Sequence, residues 1–178
     1  MTKTHSTFIR NAAVAAFAAS VAGALVRDQI ASALVARGDE LLYRSSVAAS
    51  IAYYRRAVTI APSSAAAVDR LAFAATLLRD RNSLQEAAIS TSRYLEEHPA
   101  DDAIRADRAF VLRLLGQYAR AAGDFAIAGT RRHDPRLLAL AGYSELRAGD
   151  RRSARRDWIE ALAVDASFRP AALALARH

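Results

Sequence analysis

A column of small residues recurs along the chain at near-constant intervals and constrains the fold more than any other feature. Its members are Ser50, Ala87, Ala121 and Ala154, spaced 37, 34 and 33 residues apart (87−50, 121−87, 154−121). Four residues after each stands Tyr54, Thr91, Phe125 or Trp158, and three further on stands Ala57, Tyr94, Ala128 or Ala161. Steps of three and four place these side chains on one helix face. A small residue there lets a second helix come close, and the large residue one turn on fills the space beside it. Twelve residues before each column member lies another small position, Gly38, Ala75, Ala109 or Gly142, which marks the partner helix. Between the two, Ser45-Ser46, Asn82-Ser83, Gly116-Gln117 and Gly149-Asp150 predict the turns, with Gly as a left-handed cap and Ser or Asp as N-caps. Pro62 and Pro99, which lack an N–H, close the first two units. The unit is therefore a helical hairpin, and hairpins of this size bury their apolar faces only by stacking on one another.

Composition agrees with an all-α chain: hydrophobic residues make up 53%, with 7 Gly, 4 Pro and an excess of Ala, the best helix former. The 178 residues suit one elongated domain whose core runs between successive helices.

Residues 31–64, 68–101, 102–135 and 135–168 resemble four tandem tetratricopeptide repeats, together placed in a repeat domain over 28–168. The last is the clearest, through Gly142, Gly149-Asp150, Ala154, Trp158 and Ala161. The first matches through Gly38, Tyr54, Ala57 and Pro62. Two departures stand out. Thr91 and Tyr94 exchange the large and small positions of the second repeat, and Arg105 and Arg108 replace large apolar residues in the third. The resemblance implies a right-handed superhelix of helix-turn-helix repeats. Residues 169–178 are expected to begin a capping helix with an apolar face of Ala172, Leu173 and Leu175.

The resemblance also implies where a partner docks, since the first helices of such repeats line a concave groove. The corresponding column here is Asp39, Thr76, Phe110 and Tyr143, followed one turn on by Leu42, Arg79, Arg113 and Leu146, then Tyr43, Asp80, Leu114 and Arg147. The expected groove residues are Tyr43, Thr76, Arg79, Phe110, Arg113, Tyr143 and Arg147, a mixture of aromatics and arginines of the kind enriched at interface hot spots. Phe110 and Tyr143 would hold an apolar side chain, or complete the core between repeats. Arg113 and Arg147 would hold an acidic group. The Lys and Asn residues of the carboxylate clamp found in some members of the family are missing.

Charge opens a second possibility. The net charge is +7, almost all of it Arg, with Lys3 the single lysine. The densest cluster, Arg151, Arg152, Arg155 and Arg156 beside Arg147, reads as a solvated face or as a surface for anionic lipid or an acidic protein. No nucleic-acid reading motif accompanies it.

Residues 1–27 form the other distinctive region. Lys3 and Arg10 precede a charge-free run, Asn11 to Val26, that ends at Arg27. Ala22-Gly23-Ala24 supplies a small-x-small cleavage pattern, and the whole reads as a signal peptide or an N-terminal membrane anchor. Either places the repeats in the periplasm or on the periplasmic side of an inner membrane. The alternative is a soluble Ala-rich helix on a cytosolic secretion chaperone. With no Cys, a lipid-modified cysteine is excluded.

Catalysis is not expected. His5, His98, His133 and His178 have no His or Cys neighbour at metal-ligand spacing, and there is no phosphate loop or nucleophile elbow. The pairs Glu96-Glu97 and Asp101-Asp102 read as solvent-facing charge. The sequence thus calls for no cofactor and no metal. It reads as a non-catalytic adaptor that binds a peptide or helix of another protein, in the assembly of a bacterial envelope complex.

Overall fold

A computed structural model of the chain describes residues 2–178, with side chains from Ser20 onward. Among these residues nine helices follow one another without a strand: α1 (Thr2–Tyr43), α2 (Val47–Ile60), α3 (Ala65–Leu78), α4 (Arg81–Glu97), α5 (Asp102–Leu114), α6 (Tyr118–Arg132), α7 (Pro135–Ala148), α8 (Arg151–Val164) and α9 (Arg169–Arg177). Each helix from α2 onward packs against the one before it, and α3 also packs on both α1 and α5. Two pairs of even-numbered helices, α2 with α4 and α6 with α8, are joined instead by polar side chains. Arg55 of α2 makes a two-pronged ion pair with Glu86 of α4, Nε to Oε1 at 2.7 Å and Nη2 to Oε2 at 2.6 Å, and Thr130 of α6 donates to Glu160 of α8 at 2.6 Å. The odd helices therefore line the tighter, inner side of the stack.

The recurring column explains the hairpins. Ser50, Tyr54 and Ala57 are fully buried, as are Ala121, Phe125 and Ala128, and Ala154, Trp158 and Ala161. Opposite them, glycine is present where the aromatic is largest. A Cβ at Gly38 would collide with the Tyr54 ring, and one at Gly142 with the Trp158 indole. Ala109 suffices opposite Phe125. The exchanged pair also packs: Thr91 turns its hydroxyl back to the Ala87 carbonyl at 2.8 Å, and Tyr94 sits among Val68, Leu95 and Ile104. Tyr94 also donates to Asp101 at 3.0 Å.

The turns depart from expectation at one point. Asn82 and Ser83 lie inside α4, and the chain reverses earlier, at Arg79-Asp80. Arg79 takes the left-handed conformation (φ 57°), and Asp80 caps α4 by accepting from the Ser83 N–H and hydroxyl, both at 2.9 Å. Asp80 is the residue whose carboxylate reaches the free Ser83 N–H, so the helix begins there. Ser45 (φ 60°), Gly116 (φ 78°) and Gly149 (φ 95°) make the other three predicted turns.

Two readings of charge are also corrected. Asp101 is not free solvent charge: it caps α5, accepting from the Ala103 and Ile104 N–H groups at 3.1 Å. Arg108 occupies its apolar position because Asp124 of α6 meets it in a bidentate pair, 2.7 Å for each contact.

α9 covers the end of the stack through a face only partly the one expected. Ala171 and Ala174 are buried against Leu138, Ala139 and Trp158 with Leu175 packed beside them, while Ala172 and Leu173 face outward.

Candidate functional site

The inner helices bring some of the expected groove residues together and separate others. Phe110, on α5, is half-buried. It meets Phe125 edge-on at 4.9 Å and carries the Arg113 guanidinium 5.8 Å from its ring centre. It also lines a cavity of about 240 Å³ with Ala72, Phe73 and Thr76 of α3 and Asp107 of α5. The Phe73 ring is 46% exposed there.

Tyr143 belongs to a different place. Its hydroxyl donates to the Pro170 carbonyl at 3.1 Å and its ring stands 5.5 Å from Trp158. With Leu173, Arg177 and His178 of the C-terminal segment it lines a separate cavity of about 490 Å³. Arg147 turns away from both, stacking 4.9 Å over the Tyr118 ring and donating to its hydroxyl at 2.9 Å. Tyr43, at the end of α1, is 93% exposed, and Arg79 stands in the α3–α4 turn. Thr76 is spent locally, its hydroxyl bonded to the Phe73 carbonyl at 2.7 Å. The seven residues thus form two pockets and three outliers, not one continuous groove.

Three participants escaped the sequence reading: Phe73, Asp69 and Asp107. Phe73 and Asp107 each lie three residues before an expected groove residue, Thr76 or Phe110, so the same helix face carries them. Extending the column one turn backward would have found both.

The electrostatics around the α3–α5 cavity are distinctive in a chain of net charge +7. Asp107 is pushed up to about 7, chiefly by burial, and then by the charge of Asp69 and a hydrogen bond to it. Arg70 is already committed, to Asp39 at 3.0 Å and to Asp69 at 3.3 Å. Asp39 also accepts from the Tyr54 hydroxyl at 2.7 Å, and burial with this carboxylate raises the phenol well above its ordinary value.

The arginines of α8 are all exposed: Arg151, Arg152, Arg155 and Arg156. Arg156 touches Asp157 at 3.2 Å, and Arg155 donates to the Leu175 carbonyl at 3.4 Å. Among the described residues no cluster of His, Cys, Asp or Glu has a metal-binding arrangement.

No protein-family model matches the chain, and no curated protein does. Solved structures are similar to it. A MamA structure from Desulfovibrio magneticus aligns with a TM-score of 0.67 at 16% identity, over 82% of this chain and 81% of that one. A tetratricopeptide repeat protein from Parabacteroides merdae aligns at 0.64 and 20% identity, over 82% of this chain and 57% of its own. The pilF protein of Pseudomonas aeruginosa aligns at 0.63 and 20%, over 85% and 68%. At such identities the likeness is one of fold. The chain is an all-α, right-handed superhelix of tetratricopeptide helix-turn-helix hairpins.

Proposed function

We propose that this chain is a non-catalytic scaffold that holds a peptide or helix of another protein against its inner face. The observation that carries the reading is the exposure of aromatic rings on inner helices, Phe73 and Phe110 at one cavity and Tyr143 at a second. A folded chain gains nothing in stability from leaving such rings in water, and interface anchors are drawn from this class. Four repeats behind residues 1–27, acting as a signal or an anchor, would display that face in the periplasm, where an envelope assembly would be the setting. Support for this placement is compositional. Residues 1–19, with most of the run, lie outside those with described side chains. No helix among the described residues is long and apolar enough to cross a membrane. Val21, Leu25, Val26 and Ile30 are exposed on α1.

Affinity capture from gently solubilised cells tests the reading. The natural chain should retain a protein that a Phe110→Ala, Arg113→Ala, Tyr143→Ala variant of unchanged helical content loses. A second reading has its own observation: the four exposed arginines on α8. If both forms retain only salt-sensitive anionic lipid, that face is the working surface and the inner-face reading fails.

A further inference from the structure

We propose that the cavity between α3 and α5 takes the cationic side chain of a lysine or arginine from the bound partner segment. Its stem would lie between the Phe73 and Phe110 rings and its charge on Asp107 and Asp69. The proposal rests on the inner-face reading above and names the chemistry that part of the face selects.

Size is the first argument. About 240 Å³ falls below the roughly 300–1,000 Å³ of sites that enclose a whole small molecule. It suits a single inserted side chain. The walls come next: two phenylalanine rings with Ala72 and the methyl group of Thr76 make an apolar sleeve, and aromatic faces attract cations. Arg113 already exploits the Phe110 ring without lining the cavity.

Charge complementarity decides the sign. Asp107 lines the cavity, and the nearby Asp69 of α3 adds negative charge beside it. Asp101, the cap of α5, adds negative potential, and Arg132 of α6 opposes it. Arg70 is divided between Asp39 and Asp69. Among the described residues no arginine pairs with Asp107 itself. With Asp69 covered by Arg70, the locality leaves the half-buried Asp107 without an arginine of its own inside a strongly basic protein. An acidic partner residue would be repelled there. An apolar one would leave Asp107 without a partner charge.

The test is a titration of the full-length, isotope-labelled chain, read by NMR at the amides of Thr76 and Phe110. The probe is a synthetic leucine–serine peptide with one central lysine, beside counterparts with norleucine or glutamate at that point. The lysine peptide should shift both amides saturably, and norleucine should weaken binding about tenfold. Asp107→Asn should erase the preference for lysine while leaving the norleucine affinity intact. A fall of pH through about 7 should do the same, as Asp107 takes up its proton. Equal binding of the lysine and norleucine peptides would overturn the cation assignment but leave the inner face as a docking surface. A preference for glutamate, or undisturbed Thr76 and Phe110, would also overturn it. The capture experiment then decides separately whether the wider reading survives.

Discussion

The α5–α6 and α7–α8 hairpins each bury an aspartate immediately before the core aromatic, and they treat it in opposite ways. Asp124 precedes Phe125 and Asp157 precedes Trp158, 33 residues apart (157−124), with exposures of 7% and 2%. Asp124 is met by both prongs of Arg108. The residue 33 positions beyond Arg108 (108 + 33 = 141) is Ala141, which offers no charge. Asp157 touches only its exposed neighbour Arg156, and its Oδ2 is buried without a partner. Burial accordingly pushes the Asp157 carboxyl above its ordinary value, and burial with the charge of Asp157 does the same to Glu145 of α7. One hairpin is thus held by a compensated ion pair inside its core. The other relies on the tight fit of Trp158 over Gly142 and tolerates an acid whose carboxyl is raised by its burial.

The largest effect should come from breaking the compensated pair. Arg108→Leu leaves the buried Asp124 with only the longer contact to Arg105, at 3.8 Å, and should cost about 3 kcal/mol in denaturant unfolding. Adding Asp124→Leu should restore most of that loss, because neither charge is then stranded. If the single variant were neutral, the contrast between the hairpins would collapse. Next in size is Gly142→Ala, whose methyl group has no room against the indole. It should cost about 1–3 kcal/mol, as overpacked cores do, while Ala109→Gly opposite Phe125 should lose only a buried methyl and some helix propensity.

The pH profile sharpens the comparison from another side. Asp157 has a folded value raised above the unfolded 3.8, so the folded state binds the proton more tightly. Its stabilising contribution is complete below 3.8 and is lost as pH rises through the higher folded value. Asp157→Asn should therefore flatten a decline in melting temperature as pH rises through that window. The smallest effect belongs to Asp150, the cap of α8. Backbone and hydroxyl bonds from Ser153 hold its carboxyl below the ordinary range, so its contribution is present above 3.8 and lost on acidification. Asp150→Ala should lower the melting temperature slightly at neutral pH and not at all in strong acid.

Much of this fold was legible because its repeated requirement is steric. A large side chain at Tyr54 or Trp158 needs a glycine across from it, and spacing alone reveals the pair. The α3–α4 turn was misread because Asn82-Ser83 and Arg79-Asp80 are both plausible turn formers, and the choice rests on which side chain reaches the first free N–H groups. The buried acids were missed for a related reason. Asp124 and Asp157 look alike in sequence, and only the approach of Arg108 from the neighbouring helix separates them. Nor could spacing show that Tyr143 faces α9 while Phe110 faces α3. Both follow the small position by one residue, yet their partners are set by how adjacent hairpins stack.

The inner face is the account's central claim, and hydrogen exchange on the complex of the full chain with its captured partner tests it most directly. The account predicts added protection on α3 and α5 around Asp69, Phe73, Thr76, Asp107 and Phe110, with a second zone at Tyr143 and α9. Protection confined to the Arg151–Arg156 face of α8, with the inner helices unchanged, would contradict it.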